Sequence, residues 1–247
     1  APSWPHHGAH MNRWITGARP RTLPAAVVPV AVGAAAAVGE PADIVWWRVA
    51  AALIVSVSLQ VGVNYANDLA DAEKGADTAD RIGPTRAVAS GLLTPRQMKR
   101  GIAAAFGVAA IAGGYLIWLA GWVILVIGIA SIVAALGYTN GPIPYGYYGL
   151  GEVFVFVFFG LVATAGTTYV AIEQVPWVAW PASTGVGLIA CALLVVNNLR
   201  DIPTDTDAGK RTLAVVLGRA RTRRLYAFLM LGGFPLIAWF AAAGWTP

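Results

Sequence analysis

Seven long apolar stretches recur along this chain of 247 residues, and they restrict its fold more than any other feature. A helix that crosses a membrane needs about 20 mainly apolar residues, and each stretch comes close to that length. They cover residues 22–39, 44–66, 99–120, 122–138, 150–172, 177–199 and 225–244. Only 12% of the residues are charged, about half the fraction in soluble domains. The sequence therefore predicts an all-α, polytopic transmembrane helical bundle with seven spans.

The basic residues are concentrated on one predicted side of the membrane. Of the 17 Lys and Arg residues, all but Arg48 fall before the first span, in residues 74–100 or in residues 200–224. These three segments share one side of a seven-span bundle, and the positive-inside rule assigns that side to the cytoplasm. The net charge of +5 is therefore a topology signal, which can also hold anionic lipid, rather than a sign of nucleic-acid binding. We predict a multi-pass protein of the cell (plasma) membrane.

Two predicted spans end in similar polar motifs on the cytoplasmic side. The motif residues are Asn64, Asp68 and Asp71 in the second span, and Asn198, Asp201 and Asp205 in the sixth. On a continuing helix the members of each motif share one face, although Pro203 disfavours helical geometry at Ile202. We expect a pseudo-symmetric bundle to bring the two motifs face to face.

The residue types in these motifs indicate a particular chemistry. Carboxylates at the end of a membrane helix are costly and usually functional. Mg²⁺ takes oxygen ligands and is commonly shared between carboxylates and substrate phosphates. Basic side chains of the same loops suit phosphate oxygens, and they are Lys74, Arg81, Arg86, Arg200 and Lys210. Together these residues predict a Mg²⁺–diphosphate site that faces the cytoplasm.

Other kinds of site have little support. The sequence contains no G-x-x-x-x-G-K-[ST] phosphate loop. No hydrolase triad is indicated, because all three His residues lie within residues 6–10 of the N-terminal tail. Cys191 is the only cysteine, so no intrachain disulfide can form, and it is interpreted as a small buried apolar residue.

Tyrosines are frequent in residues 138–148, next to the polar motifs. Tyr138 has two open interpretations: a wall of the substrate pocket that steadies a carbocation with its ring face, or part of an interfacial aromatic belt. For Tyr145, Tyr147 and Tyr148 the belt is favoured.

Six blocks of sequence carry a resemblance to a known family. They are GARPRTLP at 17–24, NYANDLAD at 64–71, DRIGPTR at 80–86, PYGY at 144–147, NNLRDIPTD at 197–205 and AGKRTLA at 208–214. They occur in order over nearly the whole chain, and the Asn-Asn-Leu-Arg-Asp run is highly specific. The chain resembles the UbiA superfamily of intramembrane prenyltransferases, and most closely its MenA branch, the 1,4-dihydroxy-2-naphthoate prenyltransferases.

The resemblance implies a nine-helix bundle with a lipid-open cavity, two Mg²⁺ ions and a polyprenyl diphosphate donor. It implies that Asn64, Asp68 and Asp71 serve one ion and that Asn198, Asp201 and Asp205 serve the other. The five basic residues named above would hold the diphosphate. Residues 1–21 would form a tail and cytoplasmic flank, and residues 22–247 a single prenyltransferase domain that lacks the two C-terminal helices of the family pattern.

The implied reaction is Mg²⁺-dependent transfer of a polyprenyl group to 1,4-dihydroxy-2-naphthoate with decarboxylation, giving demethylmenaquinol for menaquinone biosynthesis. The four Asp residues and Tyr138 would be the catalytic residues.

Three alternatives remain open on the sequence. One is another aromatic acceptor, such as 4-hydroxybenzoate or a chlorophyllide-like ring. The others are a cation-coupled transporter and a non-catalytic protein that binds diphosphate lipids.

Overall fold

A computed structural model describes residues 12–73, 85–138 and 144–243, and within these ranges every regular element is helical. The helices are α1 (Arg13–Ala18), α2 (Pro24–Ala35), α3 (Trp46–Glu73), α4 (Pro95–Ala120), α5 (Trp122–Gly137), α6 (Gly151–Ile172), α7 (Ala179–Asp207) and α8 (Leu213–Ala243). Two short 3₁₀ turns, Pro20–Thr22 and Tyr145–Tyr147, precede α2 and α6. The predicted all-α class is confirmed.

Four of these helices, α3, α4, α6 and α7, are long and apolar enough to cross a membrane. The helices α2 and α5 are apolar but shorter, with 12 and 16 residues. Helix α8 is interrupted at Gly218, whose φ of 71° and ψ of 166° are not helical. A helix therefore occupies each of the seven predicted places, while the count of seven membrane spans stays a prediction.

Helix α7 continues through Pro203 to Asp207 without interruption, although the sequence suggested disturbed geometry at Ile202. Proline lacks a backbone N–H, so it removes one helical hydrogen bond. Pro203 lies in the last turns of the helix, where few bonds follow it, and the Thr204 hydroxyl donates to the Asp201 carbonyl at 3.0 Å. The second polar motif therefore lies on one continuous helix.

Exposed tryptophans mark the end of the bundle opposite the polar motifs. They begin α3 and α7, whose other ends carry the motifs, and they flank the junction of α4 with α5. They are Trp46, Trp47, Trp118, Trp122, Trp177 and Trp180, each more than half exposed. Tryptophan is enriched at membrane–water interfaces, so the residues at this end of the bundle are typical of an aromatic belt.

Helix α6 lies between α2 and α7, and close backbone approaches hold it there. A Cβ atom added at Gly160 of α6 would lie 2.6 Å from the Gly187 Cα atom of α7. One added at Gly33 of α2 would lie 2.3 Å from the Thr164 carbonyl oxygen, and the Thr168 hydroxyl donates to the Gly33 carbonyl at 2.8 Å. Small residues permit such contacts between membrane helices, so they fix the position of α6.

Gly187→Leu is expected to destabilise the bundle by about 1–3 kcal/mol, the usual cost of overpacking. A Cβ atom at this position would already lie 2.8 Å from the Phe156 ring. Thermal unfolding of purified protein in detergent measures the effect. Gly107→Leu in α4 is the matched control, because a Cβ atom there meets nothing within 4 Å. Equal unfolding midpoints for the two variants would contradict the close packing of α6 on α7.

Candidate active site

A cavity of about 670 Å³ opens at the motif-bearing end of the bundle and extends between the helices. Its polar wall contains residues from both motifs, namely Asn64, Asn67, Asp71, Asn197, Asn198, Asp201 and Asp205. Its basic residues are Arg19, Arg21, Arg86, Arg200 and Lys210. The remainder is mostly apolar and includes Val55, Leu116, Ile124, Ile127, Val162 and Val170. The two motifs thus meet in one amphipathic cavity, as expected.

Asp71 is a buried carboxylate of the site, 3% exposed, with three hydrogen-bond donors. Its Oδ2 atom accepts a hydrogen bond from the Arg86 guanidinium at 2.9 Å. Its Oδ1 atom accepts from the Lys210 ammonium at 3.0 Å and from the Tyr147 hydroxyl at 3.0 Å. A buried charge needs such partners, because burial without them costs several kcal/mol. Two of the three donors are basic residues that we predicted to bind diphosphate.

Lys210 links the two motifs. Its ammonium nitrogen lies 3.0 Å from Asp71 Oδ1 and 3.9 Å from Asp205 Oδ1. It also lies 4.7 Å from the centre of the Tyr147 ring, within the range of a cation–π interaction. The backbone N–H of Arg211 donates to the Tyr147 carbonyl at 2.8 Å. The segment before α8 is therefore docked onto the 3₁₀ turn Tyr145–Tyr147.

Asp201 is paired with Arg200, its neighbour in α7. Two guanidinium nitrogens of Arg200 donate to the two carboxylate oxygens, each at 2.6 Å. This bidentate arrangement is a strong form of the Arg–carboxylate pair. Both side chains line the cavity. The positive charge of Arg200 therefore lies beside the carboxylate of Asp201, where an anion could bind.

The structure places Asp68 away from the cavity wall. It is fully buried, and its two oxygens accept hydrogen bonds from the backbone N–H groups of Ala87 and Val88 at 2.9 and 3.0 Å. Asp68 thus holds the turn that presents Arg86 to Asp71. Its predicted role as a metal ligand stays a prediction, because Asp68, unlike Asp71, Asp201 and Asp205, does not line the cavity.

Asn67 lines the cavity, although the sequence did not predict it as a site residue. Successive residues of a helix are about 100° apart, so Asn67 and Asp68 both lie within about 60° of Asp71, and the tertiary structure decides that Asn67 lines the cavity. The Asn64 side-chain amide donates to the Ala18 carbonyl at 2.8 Å and to the Thr22 hydroxyl at 2.9 Å. Asn64 therefore ties α3 to the N-terminal segment.

Two arginines of the predicted N-terminal flank line the cavity. Residues 13–22 form α1 and a 3₁₀ turn, and both Arg19 and Arg21 line the cavity. Arg19 adopts a left-handed backbone conformation with φ 54°, which is uncommon for a residue other than glycine. Arg19 follows the last residue of α1 and precedes the 3₁₀ turn that begins at Pro20. Among the predicted site residues, Lys74 and Arg81 lie outside the described ranges, as do the three histidines.

A row of aromatic rings follows one side of the cavity. Tyr145 stacks on Phe154 with 3.7 Å between ring centres, Phe154 is followed by Phe158 at 6.1 Å, and Tyr138 meets Tyr145 edge to face at 5.5 Å. Phe158 lies in the π-helical part of α6, Phe156–Ala165, a form often found at functional sites.

The row of rings also corrects the belt interpretation of two tyrosines. Tyr145 and Tyr147 line the cavity, whereas Tyr148 is 58% exposed. The Tyr145 hydroxyl donates to the Ala134 carbonyl, and burial raises the pKa of this phenol. The Tyr145 hydroxyl is thus engaged with the backbone, while its ring stacks on Phe154.

The donor atoms fit Mg²⁺ shared with a phosphate ligand. Among the described residues, no group of three Asp, Glu, His or Cys side chains is arranged to hold a metal ion by itself. Mg²⁺ is usually bound through one or two carboxylates together with substrate phosphates rather than in an all-protein cage. The cavity offers the carboxylates of Asp71, Asp201 and Asp205 with neighbouring amides, which is this type of donor set.

Comparison with known proteins identifies the class. The model of the UbiA prenyltransferase family matches residues 26–247, and the chain belongs to this family of multi-pass membrane prenyltransferases. It is 48% identical over 222 residues to a 1,4-dihydroxy-2-naphthoate octaprenyltransferase of Mycobacterium tuberculosis, with 90% of this chain and 75% of the relative covered. It is 39% identical over 241 residues to the Escherichia coli protein of the same name, covering 92% and 75% of the two chains.

The fold is shared with solved structures of the family. A UbiA homolog from Archaeoglobus fulgidus, bound to DMAPP and Mg²⁺, superposes with a TM-score of 0.61 over 94% of this chain and 85% of its own. The sequence identity is 16%, so this similarity establishes the architecture alone.

Tyr147→Phe is expected to lower the catalytic efficiency of prenyl transfer about 10-fold, because a hydrogen bond to a charged group contributes about 1.5–3 kcal/mol. The variant removes the donor to Asp71 and keeps the ring beneath Lys210. Steady-state kinetics at saturating Mg²⁺ measures the effect. Tyr148→Phe is the matched control, since that side chain is exposed. Equal efficiencies for the two variants would show that the Tyr147 hydroxyl does not position Asp71.

Proposed function

We propose that this protein transfers a polyprenyl group from an allylic polyprenyl diphosphate to 1,4-dihydroxy-2-naphthoate, forming demethylmenaquinol in menaquinone biosynthesis. One observation carries the proposal: residues of both Asn/Asp motifs and three predicted diphosphate-binding cations line one cavity that continues into an apolar pocket. A polyprenyl diphosphate has this same division between a charged head and an apolar tail. The relatives named above support the acceptor.

The proposed Mg²⁺ ligands are Asp71 with Asn67 or Asn64 on α3, and Asp201 and Asp205 with Asn198 on α7. Bound there, Mg²⁺ would neutralise charge on the diphosphate as it leaves, the usual contribution of metal ions to such reactions. Asp68 takes a supporting role in this proposal, because its carboxylate holds the turn that carries Arg86. The solved homolog with DMAPP and Mg²⁺ supports the choice of metal.

The basic residues are placed to assist the leaving group. Arg86, Arg200 and Lys210 each lie beside a carboxylate of the site, so a bound diphosphate would meet donors that are already oriented. Oriented donors stabilise developing charge at low reorganisation cost. As the bond between the allylic carbon and the diphosphate oxygen breaks, positive charge spreads over the allylic group. The faces of the Tyr138, Tyr145 and Phe154 rings are suited to steady that charge.

The acceptor attacks the allylic group and loses its carboxylate. The ring carbon that bears the carboxylate forms the new bond to the allylic carbon. The carboxylate then leaves as CO₂, and the electron pair of the broken bond restores the aromatic ring. Arg19 and Arg21 lie on the same cavity wall and suit the carboxylate of the acceptor before it leaves. We further propose that residues 22–247 act as one domain in the plasma membrane, with the site open to the cytoplasm.

The direct test is an assay of purified protein with Mg²⁺, octaprenyl diphosphate and 1,4-dihydroxy-2-naphthoate. The expected products are prenylated quinol, CO₂ and pyrophosphate, and EDTA should abolish all three. Product formed only with 4-hydroxybenzoate would replace the acceptor in the proposal. Mg²⁺-dependent binding of the diphosphate without turnover on any acceptor would instead identify a non-catalytic binding protein.

Asp201→Ala and Asp68→Ala are both expected to abolish turnover and to leave membrane insertion intact, but for different reasons. Loss of Asp201 removes a proposed ligand from the cavity, whereas loss of Asp68 leaves two buried N–H groups without an acceptor. That change costs about 1–3 kcal/mol, so only Asp68→Ala should also lower the thermal unfolding midpoint. Asp207→Ala, at the exposed end of α7, is the control and should behave like wild type. Wild-type turnover of Asp201→Ala would refute the metal assignment.

A further inference from the structure

Glu152 is a buried carboxylate near the start of α6, outside both Asp motifs. It is 9% exposed and lies one residue into a helix long enough to span the membrane. Ionisable groups in such helices are costly and mark functional positions. The Glu152 Oε1 atom accepts a hydrogen bond from the Asn198 side-chain nitrogen at 3.1 Å. Glu152 itself does not line the cavity, whereas Asn198 does.

This hydrogen bond decides which atom Asn198 presents to the cavity. A carboxylate accepts hydrogen bonds and cannot donate them, while an amide has a donor NH₂ group and an acceptor oxygen. In the structure the NH₂ group of Asn198 faces Glu152, which directs the Oδ1 atom away from Glu152. Without this partner the amide can rotate by 180°, and the cavity would meet a donor that cannot bind a cation.

A hydrogen bond and close packing hold the start of α6 against α7. The Cys191 thiol donates to the Glu152 carbonyl oxygen at 3.1 Å. A Cβ atom at Gly151 would lie 3.2 Å from a Leu194 methyl carbon and 3.3 Å from the Tyr138 ring, so glycine permits the close approach. Cys191, Leu194 and Asn198 lie at i, i+3 and i+7 and share one face of α7. The start of α6 is thus fixed against the face that carries Asn198.

We propose that Glu152 is a positioning residue that orients the Asn198 amide so that its carbonyl oxygen is available to a divalent cation bound with diphosphate. The proposal rests on the Mg²⁺–diphosphate site proposed above and adds a partner from another helix. Such outer partners of metal ligands typically change metal affinity about 10–100-fold when they are lost.

The test measures Mn²⁺ binding to the full chain in lipid nanodiscs in the presence of inorganic pyrophosphate. Electron paramagnetic resonance monitors the binding. Glu152→Leu is expected to raise the Mn²⁺ dissociation constant about 10-fold or more. Glu152→Gln keeps an acceptor oxygen of the same reach and should restore most of the affinity. Glu173→Gln is the matched control, because Glu173 pairs with Arg48 at the opposite end of the bundle and should leave the constant unchanged.

A double-mutant cycle with Asn198→Ala separates positioning from general damage. If Glu152 acts through Asn198, Glu152→Leu adds no further loss of affinity in the Asn198→Ala background. An undiminished loss in that background, or wild-type Mn²⁺ affinity of Glu152→Leu, would overturn the proposal while leaving the proposed function intact. Absence of Mn²⁺ binding by the wild-type chain would overturn both.

Discussion

The buried carboxylate of Asp71 is the interaction on which the polar end of the molecule depends. Its three donors come from Arg86, from the 3₁₀ turn at Tyr147 and from Lys210 before α8. The three donors come from separate segments of the chain, and each would lose a hydrogen-bond acceptor if the carboxylate were absent. Burial makes the cost of such a loss high. One side chain thus links three segments at the polar end of the cavity.

The apolar part of the cavity depends on a different interaction, the close packing of helices. Membrane helices gain little from apolar burial against one another, so close packing through small residues decides their positions. The approaches at Gly33, Gly160 and Gly187 place α6 against two neighbours. Along α6, Phe154 and Phe158 then line the cavity while Glu152 meets α7. The packing of α6 therefore positions both the apolar rings that line the cavity and the Glu152 side chain that binds Asn198.

Much of the site was predictable, because its residue types occur in recognisable patterns within short stretches of sequence. Apolar length predicted the helices, and the duplicated Asn and Asp residues at the ends of two of them predicted a shared polar site. The choice between Asn67 and Asp68 was not predictable, because both lie near the same helix face and only the turn at Ala87 shows which one is engaged. Tyr147 was misjudged for a similar reason, since a tyrosine near a membrane interface has two common uses.

The sequence by itself determined the helical class, the membrane environment, the family and the residue types of the site. These follow from hydropathy, charge asymmetry and motif order, which are properties of neighbouring residues. Tertiary structure alone decided that Arg19 and Arg21 belong to the cavity, that Asp68 supports a turn, and that Glu152 reaches Asn198. Those relations join residues from separate helices, and hydrogen bonds and close packing between them are set only when the helices come together.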